Sequence, residues 1–230
     1  FADVYCPGKD ELYTFLKDIL DEVVEIFPSK IIHIGGDEVP KTRWKKCEDC
    51  KKKAEELGLQ DVKKLQIHLT NYFNDYLESK GKRLMGWNQI LDSTLSPNAI
   101  CQFWFGNKKE VLEHMEKGGQ IVATNYLSTY LDHPYKIISL KKAYGFEPKF
   151  PKMTKDQQKN ILGIEAPLWT ERISTVERLH WQAFPRLTAY AEVAWAQKDK
   201  KKYDYFIRKL ESFNKRLALL EIKGAFEKGY

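Results

Sequence analysis

Residues 31–40 read IIHIGGDEVP. Ile31, Ile32 and Ile34 mark a short buried strand, and Gly35-Gly36 then lets the backbone leave strand geometry. On a regular strand, adjacent side chains point to opposite faces. Past the two glycines that alternation lapses, so Asp37 and Glu38 can both face one cavity. Two nearby carboxylates raise the pKa of one of them, and burial against aromatic rings raises it further. A proton donor beside a fixed anion suits cleavage of an acetal.

Outward from this stretch, helical and strand patterns alternate. Residues 9–28 carry Leu12, Phe15, Leu16, Ile19, Leu20, Val23, Val24 and Phe27 at helical spacing, with Pro28 as the stop. Residues 41–57 are polar and partly helical, and 61–80 form a second amphipathic helix ended near Gly81. KRLMGW reads as a strand ending at Trp87, NAICQFWFG as one ending near Trp104, QIVATNY as a fourth and NILGIEAPLW as a fifth. Helices are expected over 107–117, 175–196 with a kink at Pro185, and 201–220. Residues 126–160 read as a long functional loop. Apolar strands alternating with helices predict an α/β chain of parallel β/α units.

Five such strands suit either an open sheet or part of a closed barrel. The strand ends decide. Asp37 and Glu38, then Trp87, Trp104, Tyr126 and Tyr130, and finally Trp169 and Glu171 all fall at or just past the C-terminal end of a strand. In a TIM (β/α)8 barrel that end carries the active site. Aromatic walls also suit a sugar, whose C–H faces pack on rings while its hydroxyls need fixed hydrogen-bonding partners. His33, on the strand, is expected to be a satisfied core histidine.

The 230 residues allow one large domain or two small ones, and 43% hydrophobic content is enough for a sizeable core. The net charge of +6 comes from 38 basic and 32 acidic residues. The runs KKCEDCKKKAEE and QKDKKKYDYFIRK interleave the two signs, so they read as solvated helix faces and no nucleic-acid partner is expected. No apolar run approaches the roughly 18 residues of a membrane helix. The chain opens on Phe1, so upstream residues are expected, and the lack of a visible signal peptide says nothing of compartment. Cys47 and Cys50 form a CxxC, but no second pair or nearby histidine pair completes a four-ligand zinc set. A local disulfide or two free thiols is the expectation there. With no HExxH and no EF-hand loop, neither metal nor cofactor is expected.

HIGGDEVPKTRW, residues 33–44, resembles the signature of family 20 glycoside hydrolases, the exo-acting β-N-acetylhexosaminidases. The likeness continues in order through IFPSKIIHIGGDE, Gly86-Trp87, Trp104, Tyr130-Leu131-Asp132 and Leu168-Trp169-Thr170-Glu171. It implies that residues 1–230 are the C-terminal portion of one catalytic barrel domain, covering roughly strands 4 to 8 with their helices. It also implies roles. Glu38 would be the general acid, and Asp37 would hold and polarise the 2-acetamido N–H. Tyr130 would donate to the acetamido oxygen, which attacks the anomeric carbon in place of an enzyme nucleophile. Trp87, Trp104 and Trp169 would wall the sugar pocket, and Asp132 and Glu171 would bind outer hydroxyls.

The substrate implied is a glycan bearing N-acetylhexosamine, and the setting secreted, periplasmic or lysosomal. Where the family often has Asp-Glu after the strand-five Trp, this chain has Asn88-Gln89, so any role for acids there is lost. Strands one to three would be a missing N-terminal part of the barrel, together with a sugar-gripping Arg and an Asp/His pair behind the catalytic Glu. The chain alone is therefore expected to be inactive. The alternative is a non-catalytic carbohydrate-binding or structural fragment of such a barrel.

Overall fold

The structure, a computed structural model, describes residues 4–226. The strands are β1 (Ile31–His33), β2 (Arg83–Trp87), β3 (Ile100–Phe103), β4 (Gln120–Ala123) and β5 (Ile161–Ile164), in the order β1-β2-β3-β4-β5. Two compact units divide the chain. The first runs to Ile121 and takes in Thr154–Asn160, and the second comprises Val122–Met153 and the residues from Ile161 onward.

In the first unit, α1 (Asp10–Ile26) leads into β1, and α3 (Leu65–Ser79) leads into β2. The apolar stripe of α1 and the inner face of α3 pack on the strands. Leu12, Tyr13, Ile32, Phe73, Leu77 and Leu84 belong to one buried cluster. Phe27 closes α1 by donating its N–H to the Val23 carbonyl at 2.9 Å, and Pro28 cannot extend the helix. β1 pairs with β2 in parallel with Ile32 opposite Leu84, and β2 pairs with β3 with Gly86 opposite Cys101. A short helix, α2 (Glu48–Glu56), lies between β1 and α3, and α4 (Lys108–Glu116) follows β3.

In the second unit, the Glu165 N–H donates to the Ala123 carbonyl at 3.1 Å, joining the end of β4 to the residue after β5. The core gathers Leu131, Ile138, Tyr144, Tyr190, Phe206 and Leu210. It is contributed by α6 (Leu140–Tyr144), α9 (Arg186–Trp195), α10 (Tyr203–Leu219) and the chain between them.

Three expectations are corrected. The stretch 126–160 is not a plain loop. It contains α5 (Tyr126–Thr129), α6 and α7 (Lys155–Lys159). These helices are too short to show a hydrophobic period, and capping supports two of them: Ser139 caps α6, and Thr154 and Gln157 form a capping box on α7. The helix expected over 175–196 is two helices, α8 (Val176–Ala183) and α9, because Pro185 has no N–H to continue the ladder. His33 is not a core histidine; its side chain is exposed at the end of β1. The four cysteines are free thiols, and no described helix is long and apolar enough to cross a membrane.

Candidate active site

The first unit carries Asp37, Glu38, Trp87 and Trp104. Pairing outlasts β1 by two residues: the Ile34 N–H donates to the Met85 carbonyl, and the Trp87 N–H to the Gly35 carbonyl, both at 2.9 Å. The chain then turns through three left-handed residues, Gly35 (φ +74°), Gly36 (φ +92°) and Glu38 (φ +50°). Gly36 is required twice over, because a Cβ there would also lie 2.4 Å from Cγ2 of Ile90. A non-glycine residue in this region stores roughly 1–3 kcal/mol of strain and persists only where its surroundings over-determine it. Here the surroundings are two glutamines. Gln89 Oε1 accepts the Glu38 N–H at 3.0 Å, and the buried Gln66 donates Nε2–H to the Gly36 carbonyl at 2.8 Å. Asp37 is half-buried and Glu38 exposed.

The aromatic residues of this unit gather beside the turn. Trp87 meets His33 edge to face at 5.3 Å and Trp104 at 6.4 Å between ring centroids. Buried Asn88 ties the ends of β2 and β3 together. Its Oδ1 accepts the Trp104 and Phe105 N–H groups at 3.0 and 3.3 Å, and its Nδ2 donates to the Phe105 carbonyl at 2.8 Å. His33 Nδ1 accepts the Gly35 N–H at 3.0 Å. One side of the imidazole is open, but the protein around the rest desolvates it and lowers its pKa, against a hydrogen bond with Gln102 and the charge of Asp37. Asn88 and Gln89, read from sequence as a place where acids are lost, are thus the amides that fix this site. Their position just past the end of β2 was the available signal.

The second unit carries Tyr130, Asp132, Trp169 and Glu171. Tyr130 is buried and meets Tyr126 edge to face at 5.2 Å. The Leu131 N–H donates to the Pro167 carbonyl at 2.7 Å, which joins the segment after α5 to the one leading to Trp169. Trp169 is 45% exposed, and Glu171 lies exposed on a 3₁₀ turn, Thr170–Arg172. The Tyr130–Asp132 segment is clamped from behind by Arg186, which is fully buried at the start of α9. Its guanidinium donates to the carbonyls of Leu131 (2.5 Å), Gln182 (2.7 Å), His133 (2.8 Å) and Ile138 (3.1 Å). It also stacks over the Tyr135 ring at 4.0 Å. Burial lowers its pKa. Gln182 Nε2 donates to the Asp132 carbonyl at 2.8 Å. Oδ1 of Asp132 is buried with no hydrogen-bond partner among the described residues. Arg186 was missed in the sequence, where an arginine in a helix reads as surface.

Residues 1–198 match the family model described as "Glycosyl hydrolase family 20, catalytic domain". A β-hexosaminidase of Porphyromonas gingivalis is 37% identical over 221 residues, 91% of this chain and 28% of that protein. Among solved structures, a family 20 exo-β-N-acetylglucosaminidase from Vibrio harveyi, crystallised with N-acetylglucosamine, superposes with a TM-score of 0.88 at 30% identity. The match covers 96% of this chain and 37% of that one. A β-N-acetylhexosaminidase from Bacteroides fragilis gives a TM-score of 0.84 at 30% identity, over 96% and 47% of the two chains. The chain spans less than half the length of the curated relatives it matches. The structures it matches are (β/α)8 barrels, and its parallel strands alternating with helices make it part of such a barrel, as expected. With the GGDE turn, the tryptophans at the strand ends and the match over residues 1–198 in agreement, the chain belongs to glycosyl hydrolase family 20, within its catalytic domain.

Proposed function

We propose that residues 1–230 form the C-terminal portion of a family 20 barrel that removes terminal, non-reducing β-linked N-acetylhexosamine from glycans by substrate-assisted retaining catalysis. The observation that carries this reading is the conformation of Glu38. It is a left-handed, non-glycine residue directly after Asp37, and a glutamine 51 residues away holds its backbone. Strain of this kind clusters at functional sites. A binding module has no need of a paired acid held in this way.

In the proposed reaction, Glu38 gives its proton to the glycosidic oxygen as the bond to the anomeric carbon breaks. The substrate's own acetamido oxygen forms the new bond to that carbon, giving an oxazolinium-type intermediate. Asp37 holds the acetamido N–H, and Tyr130 donates to the acetamido oxygen. Water then attacks the anomeric carbon, Glu38 takes its proton, and the ring opens to the product of retained configuration. The tryptophans supply apolar faces to the sugar, and Asp132 and Glu171 accept from its outer hydroxyls. The rest of the barrel is supplied from outside this chain, so turnover is expected only when it is present.

Matched aryl β-N-acetylglucosaminides and β-glucosides, assayed with the complete enzyme and with Asp37→Asn, test the reading. The acetamido substrate should be strongly preferred. Asp37→Asn should lower kcat much more than it raises KM, because the carboxylate's grip tightens in the transition state. Equal rates on the two substrates would remove substrate assistance, and sugar binding without turnover would favour a non-catalytic carbohydrate-binding module.

A further inference from the structure

Cys6 lies 41 residues before Cys47, yet folding sets its sulfur 3.6 Å from Sγ of Cys47 and 3.5 Å from Sγ of Cys50. All three sulfurs lie within 4.8 Å of one another. Around a tetrahedral zinc ion with Zn–S bonds of about 2.3 Å, sulfurs stand roughly 3.8 Å apart. A disulfide requires about 2.05 Å and can satisfy only two of three. Backbone N–H groups are already directed at these sulfurs. Those of Cys50 and Asp49 donate to Cys47 Sγ, and that of Gly8 donates to Cys50 Sγ. Metal binding takes cysteine sulfurs as thiolates.

The surrounding chain is built for this approach. Gly8 lies so close to α2 that a Cβ on it would come within 2.5 Å of the Asp49 carbonyl group and the Cys50 nitrogen. Trp44 Nε1 donates to the Tyr5 carbonyl at 2.9 Å, and the Tyr13 hydroxyl to the Pro7 carbonyl at 3.0 Å, so both flanks of Cys6 are pinned. From the sequence, the CxxC lacked partners for a metal. The third ligand is one that only the tertiary structure brings in.

We propose that Cys6, Cys47 and Cys50 bind one zinc ion, which staples the segment around Cys6 to the start of α2. Among the described residues no fourth cysteine, histidine or carboxylate joins the cluster, so the fourth coordination position is left to water or a small exogenous ligand. The staple closes a small core of Trp44, Cys50, Ala54 and Leu65, against which Val39 packs. Val39 directly follows Glu38, so the ion steadies the far side of the turn that carries the two acids.

Metal content of the purified, fully reduced protein, measured by mass spectrometry after zinc loading and gel filtration, tests this. One zinc per chain is expected, falling to background in Cys6→Ser and in Cys47→Ser. Cys101→Ser, which alters a buried cysteine of β3 outside the cluster, should leave it unchanged. Cobalt loading should give a thiolate-to-metal charge-transfer band that weakens when any one of the three is replaced. Circular dichroism establishes that each variant is folded. Folded, reduced wild-type protein that retains no zinc would overturn the proposal. So would retention indifferent to Cys6→Ser, or a disulfide among the three that forms despite excess zinc.

Discussion

The backbone N–H of Glu38 donates to Oε1 of Gln89 at 3.0 Å, joining the acid-bearing turn after β1 to the residue that follows Asn88 at the end of β2. A neutral hydrogen bond of this kind contributes about 0.5–1.5 kcal/mol. Its role here is to hold Glu38 at φ +50°. In the complete enzyme, on the proposed reading, Gln89→Leu should therefore lower kcat about tenfold with little change in KM, and Gln89→Glu, which keeps an acceptor, should restore most of it. A fall in KM-dependent binding alone would show that Gln89 does not position the acid.

Glu38 itself should separate stability from activity. Glycine adopts positive φ without penalty, so Glu38→Gly should be more stable than wild type by about 1 kcal/mol in a denaturant titration. Glu38→Gln should leave stability nearly unchanged and, in the complete enzyme, slow disaccharide cleavage by ~10²–10⁴-fold. Formation of the intermediate from a nitrophenyl glycoside should suffer much less, because an activated phenol departs without a proton. Pre-steady-state rates on both substrates make the comparison. An equal loss on each would remove Glu38 from the role of acid.

Arg186 holds four carbonyls, three of them in the segment that follows Tyr130. Arg186→Met fills a similar volume but leaves those acceptors buried without donors. A loss of about 3–5 kcal/mol in folding stability is expected by urea titration. Arg186→Lys should recover only part of it, since one ammonium cannot span the fan of acceptors that a guanidinium reaches. A cost below about 1 kcal/mol for Arg186→Met would mean the clamp is replaceable by packing.

His114 gives the fold a pH dependence of definite sign. It is buried on α4, its Nε2–H donates to the Ala99 carbonyl at 3.0 Å, and desolvation lowers its pKa below the ordinary 6.5. Ala99 opposes that shift and Lys117 adds to it. The unfolded chain takes up this proton near 6.5, and the folded chain only at lower pH. The stability is thus complete above the unfolded pKa and is lost as pH falls toward the folded one. His114→Gln should flatten the wild-type slope between about pH 5 and 7. His33 and His68 shift in the same direction, so the difference between wild type and variant is the quantity to read. An unchanged slope would remove His114 from this role.

The five strands in their order and the long helices α1 and α3 were legible in the sequence. Helical spacing in α1 and α3, apolar strands ending in tryptophan, and the Gly-Gly-Asp-Glu break are all local, and local sterics and periodicity dictate them. The sequence could not show what holds those residues still. Gln89 reaches the Glu38 backbone across 51 residues, Gln66 reaches Gly36 across 30, and Arg186 reaches Leu131 across 55. Cys6 approaches Cys47 across 41, which turns an incomplete CxxC into a three-sulfur cluster. The short helices between Tyr126 and Lys159 likewise escaped a periodicity that needs more than one or two turns to appear. Residue type and local spacing say which chemistry a position can perform. Which backbone group a side chain meets depends on loop closure over tens of residues, and only packing of the completed fold settles that.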